Sequence, residues 1–162
     1  MIYLITGNTG AGKTTYSLGL KKSVNGILFS IDYWNKTLFL DDKQETDGVD
    51  WFLERIGRSD QMIQSLVLQL DEAGTPAILD VGFAKRDRRK RFYAFAKAHQ
   101  IPYELHFLDI DKKVRKERIL QRNQEQGETY EFDVSEDDFE FMETWFESPL
   151  EEELLNATII TK

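Results

Sequence analysis

The chain has 162 residues, of which 31% are charged, a formal net charge of −8 and no cysteine. This length fits one compact domain over residues 1–162, and the absence of cysteine excludes disulfides and Cys-ligated metal sites, which suits a reducing cytoplasm. The chain opens directly into an apolar strand pattern and contains no apolar run long enough to span a membrane, so we expect a cytoplasmic protein without a membrane partner.

The predicted elements alternate along the chain. Residues 2–6 form a short apolar strand and 14–22 a helix, followed by a strand over 26–31, a polar loop over 36–48 and a helix over 49–73 that Gly57 and Ser59 are positioned to break. A third strand over 77–81, a helix over 86–99, a strand over 103–110 and a basic helix over 111–124 come next. A polar segment over 125–133, expected to be mobile, precedes a helix over 135–146 and a closing strand over 157–161. This order predicts an α/β domain with a largely parallel sheet.

The segment GNTGAGKT, residues 7–14, is a complete G-x-x-x-x-G-K-[ST] motif between the first strand and the first helix. Glycines let successive backbone N–H groups point at phosphate oxygens, and the helix N-terminus adds partial positive charge. The motif predicts that Lys13 reaches the β- and γ-phosphates and that the Thr14 hydroxyl ligates Mg²⁺. The predicted nucleotide-binding set is Gly7, Asn8, Thr9, Gly10, Ala11, Gly12, Lys13, Thr14 and Thr15.

Two aspartates follow predicted strands. Asp32 comes after the second strand and Asp80 closes the third, at the edge where open α/β sheets bind ligands. Asp80 is a candidate to hold Mg²⁺, through water or otherwise, or to contact an acceptor substrate. The structural alternatives are a turn aspartate at position 32 and a helix cap at position 80.

The charge is unevenly distributed. Thirteen of the 29 acidic residues lie between positions 125 and 153, a stretch without Lys or Arg, whereas basic residues concentrate at 85–91 and 112–122. Arg115, Arg118 and Arg122 fall within roughly 60° on one helix face. These basic stretches are either solvated helix faces or the flanks of a site for anionic phosphates. The overall acidity argues against nonspecific binding to long nucleic acid.

Taken in order, these features resemble the P-loop kinases. Within that group the chain is most similar to small bacterial kinases often labelled AAA-type ATP-binding proteins, which are related to chloramphenicol phosphotransferase, zeta toxin and polynucleotide kinase. The segment FESP, residues 146–149, also resembles a Phe-Glu-x-Pro segment of these kinases. The resemblance implies a three-layer P-loop NTPase fold like that of the nucleoside monophosphate kinases, with a five-stranded parallel sheet in the order 2-3-1-4-5 and a helical lid at about 111–134.

The resemblance also implies roles for particular residues. It assigns Asp32 to the acceptor hydroxyl, as base or orienter, and it matches Arg118 and Arg122 to lid arginines that neutralise the transferring phosphoryl group. Arg86 and Arg89 match a further family position less well. The cofactors it implies are ATP and Mg²⁺.

We therefore predict an ATP- and Mg²⁺-dependent kinase that transfers the γ-phosphoryl group to a hydroxyl of a small molecule. Two alternatives stay open at this point: a polynucleotide 5′-kinase, and a nucleotide-binding ATPase or switch that phosphorylates no acceptor. Neither the acceptor nor the oligomeric state follows from the sequence.

Overall fold

The computed structural model describes residues 1–125 and 133–162. Its strands are β1 (Ile2–Gly7), β2 (Ile27–Ser30), β3 (Ala77–Asp80), β4 (Tyr103–Leu108) and β5 (Thr158–Ile160). Its helices are α1 (Lys13–Val24), α2 (Ile31–Leu38), α3 (Val49–Glu72), α4 (Arg86–Ala98), α5 (Lys112–Glu125), α6 (Glu136–Trp145) and α7 (Glu151–Leu154), with a 3-10 turn at Leu40–Asp42.

The five strands form one parallel sheet in the order β2-β3-β1-β4-β5, which confirms the predicted topology. The central strand β1 pairs Leu4 with Leu79 of β3 and with Leu105 of β4. All four residues of β3 are buried, as expected for a short apolar strand that is covered on both faces. All strands therefore end at the same edge of the sheet, directly below the loop that follows β1.

Helices cover both faces of the sheet. On one face, the α1 side chains Tyr16 and Leu20 pack against Ile5, Ile78 and Leu108. On the other, α3 and α4 bury an apolar cluster against Leu4 and Leu79, contributing Ile63, Val67, Phe92 and Ala96. A third, smaller cluster of Ile119, Val134 and Phe139 joins α5 to α6. The architecture is a three-layer α/β sandwich.

Two local predictions were wrong. The segment 36–48 is only partly loop, because α2 continues to Leu38 and a 3-10 turn follows it. Gly57 and Ser59 do not break α3, which is continuous over 24 residues. The cost of a helical glycine is about 1 kcal/mol. Burial of the apolar stripe that includes Ile63 and Val67 outweighs it.

A capping box lies at the start of α6. Ser135 and Asp138 exchange side chain to backbone hydrogen bonds at the start of α6. The predicted lid, about 111–134, includes α5, but residues 126–132 and with them most of the predicted polar segment lie outside the described residues. No helix in the described ranges combines the length and the apolar character needed to cross a bilayer.

Candidate active site

The loop between β1 and α1 has the backbone of a phosphate cradle. Gly10 and Gly12 adopt φ angles of 80° and 90°, which glycine tolerates best. A Cβ on Gly10 would lie 2.6 Å from the carbonyl oxygen of Arg115, so α5 packs directly against the loop. The loop is closed on itself by the Ala11 N–H, which donates to the Asn8 carbonyl over 3.1 Å. Larger residues at position 10 would separate the loop from α5.

The N-terminus of α1 faces this loop without a side-chain cap. Gly12 occupies the cap position, no side-chain cap hydrogen bond is formed among the described residues, and the first turn contains no acidic residue. These N–H groups and the partial positive charge of the helix end are therefore available to an anion. The sequence explains this arrangement. The motif places Gly12 at the N-cap, where helices often carry Ser, Thr or Asp, and Lys13 at the first helical position.

Lys13 lies at the centre of the cradle. Its ammonium group donates to the carbonyl oxygens of Gly7 and Asn8, at 2.9 and 3.3 Å. Desolvation lowers the pKa of Lys13, whereas the carboxylates of Asp80 and Asp32 act in the opposite direction. The cation is thus held beneath the loop by two carbonyls and lies in the field of two carboxylates.

Asp80 and Thr14 form a pair of oxygen donors beside this lysine. The Thr14 hydroxyl donates to the Asp80 carboxylate over 3.1 Å. Burial raises the pKa of Asp80 to about 6; the Lys13 ammonium opposes that rise, Asp32 adds to it, and the Thr14 hydroxyl opposes it. A hydroxyl and a buried carboxylate next to a phosphate cradle are the ligand types that Mg²⁺ takes from proteins.

Asp32 occupies the first turn of α2 and is exposed. It lines the same cavity as the loop, and its charge acts on both Lys13 and Asp80. That cavity has a volume of about 780 Å³, within the range of small-molecule sites. Its lining also includes Thr14, Thr15, Gly82, Phe83, Arg118, Arg122, Asp133, Asp138, Phe141 and Met142.

The three arginines of α5 separate into two groups. Arg118 donates to the Ala11 carbonyl over 3.1 Å, and both Arg118 and Arg122 line the cavity. Arg115 does not face the cavity: it is 6% exposed and forms a bidentate pair with Glu143, at 2.6 and 2.9 Å. Of the three arginines on this helix face, only Arg118 and Arg122 therefore lie at the cavity.

Glu143 is a structural partner of the loop that sequence reasoning missed. Its carboxylate accepts from the Asn8 side-chain amide over 2.6 Å as well as from Arg115, and Arg115 in turn donates to the Thr9 carbonyl over 3.1 Å. The Arg115 hydrogen bonds lower the pKa of Glu143. Nothing in the sequence distinguishes it from its twelve acidic neighbours in the 125–153 stretch, because the contact spans 135 residues.

The basic stretch at 85–91 proves to be mainly structural. Arg88 is buried and pairs with Asp60 of α3 over 2.5 Å, and Arg89 is fully buried and pairs with Glu153 over 2.7 Å. Lys85 donates to Glu147 over 3.1 Å, and the same carboxylate accepts the Arg86 backbone N–H over 2.9 Å. These contacts tie α4 to α3 and to the C-terminal segment, so Arg88 and Arg89 are not part of a solvated face, and neither of them lines the cavity.

Several solved structures share this architecture over most of their own length. The chain superimposes on Chaetomium thermophilum Kti12 in complex with ADP-AlF3 with a TM-score of 0.72 at 14% identity, covering 100% of this chain and 88% of that one. It is also similar to a gluconokinase from Sinorhizobium meliloti (TM-score 0.64, 12% identity, 98% and 81% covered). A sugar kinase from Janibacter gives 0.65 at 15% identity, with 99% and 84% covered. No curated protein matches the chain in sequence.

The fold and the loop sequence define a P-loop protein whose architecture is shared with solved kinase structures. A sequence model described as an AAA domain matches residues 2–149. Because that match covers most of the chain, the protein belongs to this AAA domain family.

Proposed function

We propose that the protein is an ATP- and Mg²⁺-dependent kinase that transfers the γ-phosphoryl group of ATP to a hydroxyl of a small molecule. The observation that carries the proposal is the position of Asp32. Its exposed carboxylate lines the same cavity as Lys13 and Thr14, where an acceptor hydroxyl would have to lie. An ATPase has no organic acceptor and therefore needs no carboxylate at this position to orient one. The position of Asp32 thus favours a kinase over an ATPase.

The transfer requires positioning more than covalent chemistry from the protein. The acceptor oxygen attacks the γ-phosphorus, the bond from the γ-phosphorus to the β,γ-bridging oxygen breaks, and ADP leaves with that bonding pair. The hydroxyl proton passes to the Asp32 carboxylate, or Asp32 orients the hydroxyl while the proton leaves late. Since a loose transition state needs little base assistance, orientation is the larger part of the role that we assign to Asp32.

Lys13, the backbone N–H groups of residues 7–15 and the start of α1 would hold the triphosphate. Arg118 and Arg122 line the cavity from α5, and we assign them to the charge that develops on the transferring phosphoryl group. Arg118 already contacts the loop through the Ala11 carbonyl, so little movement is needed for it to reach a bound phosphate.

The donor set fits a magnesium ion. Thr14 and Asp80 supply hard oxygen ligands, and Mg²⁺ ordinarily binds through one or two protein groups, waters and substrate phosphates. Among residues 1–125 and 133–162, no group of three or more His, Cys, Asp or Glu side chains is arranged to hold a metal alone. Bound with ATP, the ion would neutralise phosphate charge.

The substitution Asp32→Asn tests the proposal, because asparagine keeps the size and one acceptor oxygen but takes no proton. We expect ATP affinity by calorimetry to stay within about twofold, while transfer from γ-labelled ATP to a small-molecule extract falls by about 10²-fold, the lower end of general-base effects. Asp41→Asn, at an exposed aspartate outside the cavity lining, is the matched control and should leave transfer unchanged.

Conversion of ATP to ADP and inorganic phosphate without any labelled organic product would contradict the proposal in favour of the ATPase or switch. Unchanged transfer in Asp32→Asn would remove Asp32 from the chemistry and leave the kinase without its acceptor-side residue.

A further inference from the structure

The cations of the cavity all lie close to the loop of residues 7–14, called the phosphate loop from here on. The described lining contains three basic side chains, Lys13, Arg118 and Arg122. Lys13 and Arg118 donate directly to loop carbonyls, and the charge of Arg122 acts on the pKa of Lys13. A bound triphosphate, with about four negative charges of its own, would engage all three.

Apart from the glycines and threonines of residues 7–15 and Gly82, the rest of the described lining is acidic or apolar. Asp32, Asp133 and Asp138 contribute carboxyl groups, and Phe83, Phe141 and Met142 contribute apolar surface. The Asp138 carboxylate accepts hydrogen bonds from the Ser135 N–H and hydroxyl, at 3.2 and 2.6 Å. Phe141 is 55% exposed and stacks on Trp145 at a centroid distance of 5.6 Å, so an aromatic wall stands open to a ligand.

The arginines nearest to this lining are occupied by carboxylates. Arg88 pairs with Asp60, Arg89 with Glu153 and Arg115 with Glu143, each at 2.5 to 2.7 Å. Arg86 forms no ion pair among the described residues, but it is not part of the cavity lining. The seven residues outside the described ranges, 126–132, contain no Lys or Arg in the sequence and add no cation.

From this inventory we infer that the phosphoryl acceptor is a small hydroxyl compound that carries no negative charge: a neutral polyol-like or cationic molecule with an apolar face. The inference rests on the proposed kinase function and names its substrate class. It excludes nucleoside monophosphates, sugar phosphates, sugar acids and the 5′ end of a polynucleotide.

The physical basis is the cost of an unpaired anion. Proteins recognise phosphate and carboxylate groups with Arg or Lys, often bidentate. Among the described lining residues, no Arg or Lys is left over once a triphosphate engages Lys13, Arg118 and Arg122. An anionic acceptor would instead approach carboxylates, and like charges in a partly desolvated site repel each other. A hydroxyl compound can donate to carboxylates, and a cationic one gains from both the carboxylates and an aromatic face.

The test measures whether the acceptor is negatively charged, and it does not require that the acceptor be identified. The small-molecule fraction of an extract from the cells that encode the protein is divided by anion exchange at pH 7 into retained and unretained pools. Each pool is incubated with the full chain, Mg²⁺ and γ-labelled ATP, and labelled organic products are counted. We expect product from the unretained pool, at least about tenfold above that from the retained, anionic pool, a ratio that corresponds to about 1.4 kcal/mol of discrimination.

Each outcome has a different meaning. Product mainly from the anionic pool would overturn the inference and leave the kinase proposal standing; its loss in Arg86→Gln would then identify Arg86 as the missing cation. Label that appears only as inorganic phosphate, from both pools, would overturn the kinase proposal itself and the inference with it.

A pair of variants tests the cavity wall. Phe141→Ala should lower the yield from the unretained pool by about fivefold at limiting extract, because the acceptor loses an apolar contact worth roughly 1 kcal/mol. Phe141→Lys should lower it further and raise the yield from the anionic pool, because it adds the cation that the lining lacks. Leu155→Ala, at an 80% exposed residue outside the cavity, is the control. Equal yields from both pools in all four proteins would contradict the assignment of Phe141 to the acceptor wall.

Discussion

Asn8 in the phosphate loop and Glu143 in α6 are joined by a hydrogen bond of 2.6 Å between the amide and the carboxylate. The same carboxylate neutralises Arg115, which donates to the next loop residue, Thr9. The shape of the phosphate loop therefore depends on a helix that lies 135 residues further along the chain. Substitutions in α6 should consequently affect nucleotide binding without touching the nucleotide.

Glu143→Ala provides the first prediction. It leaves the buried Arg115 without its counter-ion, and we expect the free energy of unfolding, measured in urea, to fall by about 3 kcal/mol. The matched variant Glu153→Ala removes the partner of Arg89, which is equally buried but does not touch the loop. Both should be destabilised, but only Glu143→Ala should weaken ATP binding, by about tenfold or 1.4 kcal/mol. Equal ATP affinities in the two variants would show that the Asn8 contact is only structural.

Ionisation of the buried Asp80 carboxyl lowers the stability of the folded protein. Its pKa is raised from the usual 3.8 to about 6, so the folded state resists its ionisation. The cost grows as the pH rises from about 4 to about 6 and is constant above. Asp80→Asn should therefore stabilise the nucleotide-free protein by about 2 kcal/mol at pH 8 but by little at pH 4, as judged from denaturant unfolding at both pH values.

The same substitution should abolish magnesium-dependent turnover. In the wild-type protein, the apparent affinity for Mg²⁺ should fall as the pH is lowered through about 6, because the protonated carboxyl is a poor metal ligand. A magnesium dependence that is flat between pH 5 and pH 8 would argue against Asp80 as part of the metal site.

Lys13→Ala should abolish turnover and weaken ATP binding strongly while the fold survives. The lysine supplies the positive charge beneath the phosphate loop, and its ammonium holds the Gly7 and Asn8 carbonyls in place. Calorimetry with ATP and Mg²⁺ measures the affinity, and Lys21→Ala, at an exposed lysine of the same helix, is the control. Wild-type affinity in Lys13→Ala would contradict the assignment of the nucleotide site.

Arg118→Ala and Arg122→Ala should lower turnover far more than ATP affinity. The charge that these arginines meet grows in the transition state, and an arginine supplied in cis contributes on the order of 10³-fold in related phosphoryl transfers. Steady-state kinetics with saturating ATP measure the effect, and Lys113→Ala, an exposed cation of the same helix, serves as the control. If turnover fell by less than about fivefold in both arginine variants, Arg118 and Arg122 would have no role in the transfer step.

Much of the fold was predictable because its signals are local. Each strand is a short apolar run, the capping box at Ser135 specifies where α6 begins, and the loop motif carries its own backbone geometry in Gly10 and Gly12. The sheet order came from the resemblance to P-loop kinases, and the structure confirms it. The continuous α3 was missed because burial against the sheet, a long-range effect, outweighed the local cost of Gly57.

Charged residues were the least predictable part of the site. Arg88, Arg115 and Arg118 carry the same side chain in similar helical, basic stretches, yet the first two are buried in ion pairs and only the third faces the cavity. The difference lies in which carboxylate folds against each one, Asp60 or Glu143. Which carboxylate pairs with each arginine depends on contacts between segments far apart in sequence. Periodicity and composition do not report such contacts.

The sequence by itself determined the nucleotide cradle, because residues 7–14 specify their own conformation through glycine and a helix start. It also determined the parallel α/β class through the alternation of apolar runs with helices. Only the tertiary structure decided that Asp32 and Thr14 line one cavity, that Asp80 accepts a hydrogen bond from Thr14, and that Glu143 contacts the loop through Asn8. Electrostatic interactions act through space rather than along the chain, so their balance is set only when the sheet brings these residues together.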